Sequence, residues 1–320
     1  MSNRRKFLRG ASVATAATLA SGGLANADAI GRVDAASRRS TFVFVHGTNS
    51  SSAFWTPYAR ELQFRGHRTI AVDQPFHGDK AYLPEAYMRQ DLDALATEPT
   101  PLGDVGLDDF AAHVEHAVRR AATDGPVILV GHSMGGASLS RVGDAVPHLI
   151  GHICYMAAYC CSRALPTIND CMTAPESDSA IVPAGLVVGD PEKLGVSRYN
   201  FLGADEDDLE LLKQMAWGGN SDVSFRASLI SMQPDESATV PNDTAVGTRR
   251  HWGRIPRTYI RFGRDNLITP ELQDRMIAEA DELTPGNRFR VRRVDAPHFG
   301  PEETDEVVEI LAGIGRHVSG

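Results

Sequence analysis

The stretch Val130-Gly131-His132-Ser133-Met134-Gly135-Gly136 constrains this chain more than any other. It carries Gly-x-Ser-x-Gly at the end of an apolar run, Pro-Val-Ile-Leu-Val over residues 126–130, and a helix-compatible segment follows over 137–146. A short, β-branched and wholly apolar run reads as a strand buried on both faces of a parallel sheet. Between such a strand and a helix, the motif makes a sharp, strained turn that lifts the serine hydroxyl above the sheet. Glycine is needed at 131 and 135 because a β-carbon there would collide with the neighbouring strand or helix. The bare pattern arises by accident in roughly 0.1 to 0.2 of chains this long, so the flanking strand and helix are what single out Ser133 as a nucleophile.

The rest of the chain supplies a sheet around that turn. Residues 41–46 (Thr-Phe-Val-Phe-Val-His) predict a strand ending in Gly47-Thr48-Asn49, and further strands are expected over 68–73, 149–157, 257–262 and 288–294. Helices are expected over 53–66, 107–123, 269–282 and 303–317. Such alternation means an α/β fold with a mostly parallel sheet, and 320 residues at 42% hydrophobic suffice for one large domain. Residues 162–252 break the alternation. They are rich in Pro, Asp, Gly and Met, with helical periodicity only in patches such as 209–217. An insertion of that size predicts a cap over the carboxyl ends of the strands, where α/β sheets bind ligands. Within it, Asp205-Glu206-Asp207-Asp208 lacks the spaced ligands and glycine of a calcium loop and reads as a solvated helix start.

A serine hydroxyl is a weak nucleophile at neutral pH. It needs a histidine to take its proton and a carboxylate to hold that imidazole in the right tautomer. On a strand-turn-helix scaffold these follow in the order Ser, Asp or Glu, His, each on a loop after a strand. Asp265 follows the strand over 257–262, and His298 follows the strand over 288–294. Asp170 and Asp295 are lesser candidates for the acid. Of the other histidines, His77 reads as structural and His132 as a packing or hydrogen-bonding residue pointing away from the nucleophile. Backbone N–H groups of Met134 and Thr48 are the expected oxyanion donors. Asn49, Trp55 and Trp217 are candidate substrate contacts. Phe54, Met156, Met172 and Met215 are candidates for an apolar pocket, although core packing is the better reading of any one of them. This chemistry needs no cofactor and no metal.

The first residues read as a leader. Arg4-Arg5-Lys6-Phe7-Leu8 resembles a twin-arginine export motif, an Ala-rich stretch covers 11–20, and Ala25-Asn26-Ala27 is a small-x-small cleavage site. Cleavage after Ala27 leaves a domain over 28–320, exported already folded by the twin-arginine machinery to the periplasm or beyond. The apolar stretch falls short of the ~20 residues of a bilayer span, so no stable membrane insertion is expected of the mature chain. Losing Arg4, Arg5, Lys6 and Arg9 takes the formal net charge from −9 to near −13, a poor balance for a nucleic-acid partner. Four cysteines, Cys154, Cys160, Cys161 and Cys171, fall in one segment. A bridge from Cys160 or Cys161 to Cys171 and a set of buried free thiols are equally compatible with that spacing.

Together, Phe42-Val43-Phe44-Val45-His46-Gly47 through Trp55, the 130–136 turn, Ile255-Pro256-Arg257-Thr258-Tyr259-Ile260 with Asp265, and His298 resemble the α/β-hydrolases, in the branch of plant methyl-ester hydrolases and hydroxynitrile lyases. The resemblance implies about six strands flanked by helices, with a cap insertion and without an initial antiparallel hairpin. Lyases of the branch place a lysine after the histidine, where this chain has Phe299, and some carry a side-chain donor where it has Gly47. The resemblance therefore implies a serine hydrolase acting on a carboxylic ester or lactone of a small organic molecule, and the leader, which is unlike the plant proteins, adds the expectation that it is secreted. A lyase or carbon–carbon bond hydrolase, and a ligand-binding protein without turnover, are the rival expectations.

Overall fold

The computed structural model describes residues 40–177 and 182–319. Eight strands are found among them: β1 (Thr41–Val45), β2 (Arg68–Val72), β3 (Val127–Ser133), β4 (Ile150–Ala158), β5 (Val196–Arg198), β6 (Asp235–Ser237), β7 (Arg257–Phe262) and β8 (Arg290–Val294). Six pair in the order β2-β1-β3-β4-β7-β8, every pair parallel. This is the mostly parallel, six-stranded α/β sheet that the alternation predicts, and its first strand among the described residues is a parallel one.

Burial follows strand position. Every residue of β1 and β3 is buried, as central strands built on apolar runs must be, while β2 and β8 on the edges are only partly buried and carry Arg68, Arg290, Arg292 and Arg293 at exposed positions. Helices Leu107–Ala121, Gly135–Ala145 and Pro270–Leu283 cover one face, where Phe110, Val114, Leu139 and Met276 join a core with Leu129 and Tyr155. Helices Thr56–Phe64 and Asp305–Ser319 cover the other, around Phe42, Phe44, Ile128 and Leu311. The helix expected over 53–66 is a 3₁₀ turn, Ser52–Trp55, followed by an α-helix from Thr56, with Pro57 in its first turn.

The inserted segment folds as helices and one short two-stranded antiparallel ladder. Helix Glu206–Ala216 begins where Asp205 caps it by accepting from the Asp208 N–H, so the acidic run is a helix start. It packs Leu212 and Met215 with Leu186, Phe201, Trp217 and Phe225 in a core of its own. β5 and β6 pair antiparallel, a long-range ladder that spans two helices and has no alternating signature in the sequence. What fixes it is a buried ion pair: the Arg198 fork bonds Asp235 at 2.6 and 2.7 Å and also donates to the carbonyls of Leu95 and Glu98 at 2.6 and 2.8 Å. All four cysteines are buried and free. Cys161 hydrogen-bonds Cys171 rather than bridging to it, and burial pushes the Cys160 thiol up to about 12. The leader over 1–27 lies outside the described residues, and among those described no helix is long and apolar enough to cross a membrane.

Candidate active site

The turn after β3 has the strain its sequence implies. Ser133 sits at φ +53°, a left-handed conformation that L-residues rarely adopt. The turn is possible because its neighbours lack β-carbons. A Cβ on Gly135 would lie 2.6 Å from the His46 carbonyl oxygen and 2.8 Å from that of Val45, and one on Gly131 would lie 2.6 Å from Leu139. Gly136 meets the backbone of Tyr159 in the same way.

Ser133, His298 and Asp265 come together on the three loops that the sequence assigns them. Ser133 Oγ is 2.9 Å from His298 Nε2, and His298 Nδ1 is 2.8 Å from Asp265 Oδ2. The second carboxylate oxygen, Oδ1, accepts from the N–H groups of Leu267 and Ile268, each at 2.8 Å. A carboxylate only accepts, so Nδ1 must be the protonated nitrogen, which leaves Nε2 free to accept from the serine O–H. Ser133, Asp265 and His298 are all buried. The two lesser acid candidates are used elsewhere. Asp170 closes a capping box with Thr167, and Asp295 pairs with Arg264 at the surface.

His132 turns away from the serine. Its Nε2–H donates to the His298 carbonyl at 2.8 Å and its ring stacks on Phe54 at 4.5 Å. Burial, and then the neighbouring His298, hold its pKa well below the usual histidine value, so it is neutral and serves as a prop. Gly47 lets the loop after β1 approach Ser133, since a Cβ there would lie 2.6 Å from the serine Cβ. Thr48 Oγ1 donates to Met134 Sδ at 3.7 Å, joining the two loops from which the oxyanion donors are expected.

These groups open onto a cavity of about 730 Å³ whose wall includes Thr48, Ser133, Met134, Met215, Trp217 and Phe299. Trp217 stacks on Phe299 at 3.9 Å, and Met172 also lines the cavity. Among the described residues of the wall, Glu192 and Glu236 are acidic and there is no lysine or arginine. One expected contact needs correction. Trp55 is fully buried beneath the site, stacked on Phe44 at 4.7 Å, because the 3₁₀ turn points it into the core; Met156 is likewise a core residue. Asn49 does border the cavity, but its side-chain amide is spent on the Gln233 carbonyl at 2.9 Å.

A buried cluster escaped the sequence reading. His46, His77 and Glu236 meet behind the loop after β1, with His77 Nε2 at 3.3 Å from Glu236 Oε2 and its Nδ1 at 2.9 Å from the Pro75 carbonyl. Burial disfavours charge on His77, but the Glu236 carboxylate outweighs it and raises the pKa. Burial likewise disfavours charge on Glu236, and His77 together with the Asn49 N–H outweighs that and lowers it. His46 is driven to about 3 by burial and by His77, so it stays neutral and accepts from the Gln74 N–H at 3.0 Å. His77 drew notice only as part of a strand-end loop, and Glu236 lies in a three-residue strand, too short to carry a period.

A family model described as the alpha/beta hydrolase family matches residues 42–310. The chain belongs to that family. Methylesterase 18 of Arabidopsis thaliana is 22% identical to it over 245 residues, 74% of this chain and 84% of the plant protein. Polyneuridine aldehyde esterase of Rauvolfia serpentina is 25% identical over 203 residues, 58% of this chain and 68% of that protein. Among solved structures, a pyrethroid hydrolase from Sphingobium faniae JZ-2 superposes with a TM-score of 0.67 at 20% identity, covering 87% of this chain and 97% of its own. The structural likeness carries the fold, and the plant relatives are esterases by name.

Proposed function

We propose that this protein is a serine hydrolase that cleaves a carboxylic ester, or a lactone, of a small organic substrate through an acyl-enzyme. The observation that carries this reading is the unbroken chain from Ser133 Oγ through His298 to Asp265, with its tautomer fixed by the N–H groups on Asp265. As Ser133 attacks the acyl carbon, its proton moves to His298 Nε2 and the resulting imidazolium is stabilised by Asp265. The N–H groups of Thr48 and Met134 hold the oxyanion, each such donor supplying ~3 kcal/mol to the transition state. His298 then protonates the leaving alcohol, and water attacks the acyl-enzyme by the same route in reverse.

The cavity adds a selectivity. Its volume of about 730 Å³ suits a ligand well beyond a methyl or ethyl ester of a short acid. A wall of Met215, Trp217 and Phe299 on one side, with Glu192 and Glu236 as its acidic members, favours an uncharged, largely apolar substrate. The motif at Arg4-Arg5 and the small-x-small site at 25–27 support export to the periplasm or medium.

Turnover of a panel of acyl p-nitrophenyl esters and aryl lactones, beside Ser133→Ala and with mandelonitrile in the same plate, tests the reading. A loss of about 1,000-fold or more in the variant is expected. Equal rates in both proteins would overturn the serine mechanism. Cyanide release without ester turnover would replace hydrolysis with lyase chemistry, against the apolar Phe299 that stacks in the wall.

A further inference from the structure

The loop that brings Gly47 and Thr48 over Ser133 is tied to the cap at its very next residue. Three of the four polar groups of Asn49 are bonded to residues 233–236. Its N–H donates to Glu236 Oε2 at 2.8 Å, its carbonyl accepts from the Gln233 N–H at 2.8 Å, and its side-chain amide donates to the Gln233 carbonyl at 2.9 Å. Asn49 holds φ +53°, a conformation that asparagine tolerates better than most residues but that needs surrounding contacts to persist.

Glu236 is in turn immobilised. Oε1 accepts from the Ser237 N–H at 3.0 Å, Oε2 meets His77 at 3.3 Å, and the side chain is almost wholly buried while touching the edge of the cavity. His77 is anchored by the Pro75 carbonyl, with the edge of Phe110 against its ring and His46 at 5.1 Å. A buried ion pair is by itself weak evidence for stability, because desolvation offsets most of the attraction. Its geometry here points to a different use.

We propose that Glu236 is a positioning residue for the oxyanion loop: its carboxylate, held by His77, fixes the Asn49 N–H and thereby the height of the Thr48 N–H over Ser133. The cap then does more than shape the pocket, since its strand sets one of the two oxyanion donors. This rests on the acyl-transfer reading above. An oxyanion donor acts only in the transition state, so displacing it lowers kcat and leaves ground-state binding nearly unchanged.

Two conservative variants of the full chain separate reach from charge. Glu236→Asp keeps the charge but withdraws the acceptor by one methylene. Glu236→Gln loses the charge but can still place its one oxygen at the Oε2 position to accept from the Asn49 N–H, giving up the bond from the Ser237 N–H. With a p-nitrophenyl ester as substrate, E236D is expected to lose about 100-fold in kcat with KM changed by less than about 3-fold, and E236Q to recover at least about 10-fold of that loss. An aryl trifluoromethyl ketone, whose serine adduct places an oxyanion in the same position, is expected to bind E236D more weakly in proportion to the kcat loss.

Wild-type kcat in folded E236D, equal losses in both variants, or a kcat loss with unchanged ketone affinity would each overturn the proposal in favour of a purely structural pair. Glu236→Ala serves if E236D does not fold. It removes the acceptor of the Asn49 N–H outright and leaves His77 free to become neutral, so that no charge is buried unpaired, and a loss of at least about 10-fold in kcat with parallel ketone weakening is expected. No loss there would sink the idea as well. Ser133→Ala run alongside keeps the two hypotheses apart: turnover surviving in that variant refutes the hydrolase reading, whatever Glu236 does.

Discussion

Replacing Asp265 by asparagine asks whether the tautomer of His298 is set as the structure implies. Asparagine is nearly isosteric, but one of its two terminal groups donates. The Oδ1 position faces the N–H groups of Leu267 and Ile268, both at 2.8 Å, so the amide oxygen must occupy it. The NH₂ then falls on the Oδ2 position, 2.8 Å from His298 Nδ1, and turns that nitrogen into an acceptor. Its proton moves to Nε2, which can no longer receive one from Ser133. Inverting a catalytic imidazole in this way costs about 10,000-fold in kcat, or ~5.4 kcal/mol of barrier. The backbone bonds survive the exchange, so stability changes by no more than ~1 kcal/mol, a shift in melting temperature of about 2–4 °C. Initial-rate kinetics on the ester that wild type turns over best, with a thermal melt on the same preparation, supply both numbers. Asp265→Asn with more than a tenth of wild-type kcat would show that the Leu267 and Ile268 donors do not dictate the flip. Gross destabilisation would show that the carboxylate is needed for the fold.

Arg198→Ala leaves Asp235 charged and unpaired in the cap and frees the carbonyls of Leu95 and Glu98, so urea denaturation should register a loss of about 3–5 kcal/mol; less than ~1 kcal/mol would mean that water reaches the pair. The raised His77 makes stability depend on alkaline pH. Its contribution is complete below the unfolded value of about 6.5 and fades as pH rises through the higher folded value, so melting temperature should fall as pH rises above the unfolded value in wild type and fall less in His77→Gln. The lowered Glu236 acts oppositely, contributing above its unfolded value of about 4.3 and losing that as pH drops through its folded one. Parallel pH curves for wild type and His77→Gln would contradict the charged pair. Esters matched in size but bearing a free carboxylate should show kcat/KM lower by at least about 10-fold than their neutral counterparts, since the wall holds Glu192 and Glu236 and, among its described residues, no cation to receive them; equal rates would place the charged end outside the cavity.

The parts of this molecule legible in its sequence are those governed by local rules. β1 and β3 announce themselves as unbroken apolar runs because both faces are covered, and Gly131, Ser133 and Gly135 because a strained turn admits few residues. Asp265 and His298 are found by counting loops after strands, since a parallel sheet presents the carboxyl ends of its strands on one side. Trp55 misleads for the converse reason: its loop is at the site, but whether a residue of a 3₁₀ turn faces the cavity or the core depends on one rotation that no pattern records. Arg198–Asp235 and His77–Glu236 are invisible for a stronger reason. Each joins residues far apart in the chain, 37 positions in one pair and 159 in the other, through segments without periodicity, and charge and burial are chosen there jointly. Polar pairs of that kind fix a cap at defined points while leaving its apolar wall free to vary. A hydrolase sheet therefore keeps Ser133, His298 and Asp265 in one arrangement, while the cavity wall, and under the proposed function the substrate preference, is built by Met215, Trp217 and the rest of the segment that the sequence reveals least.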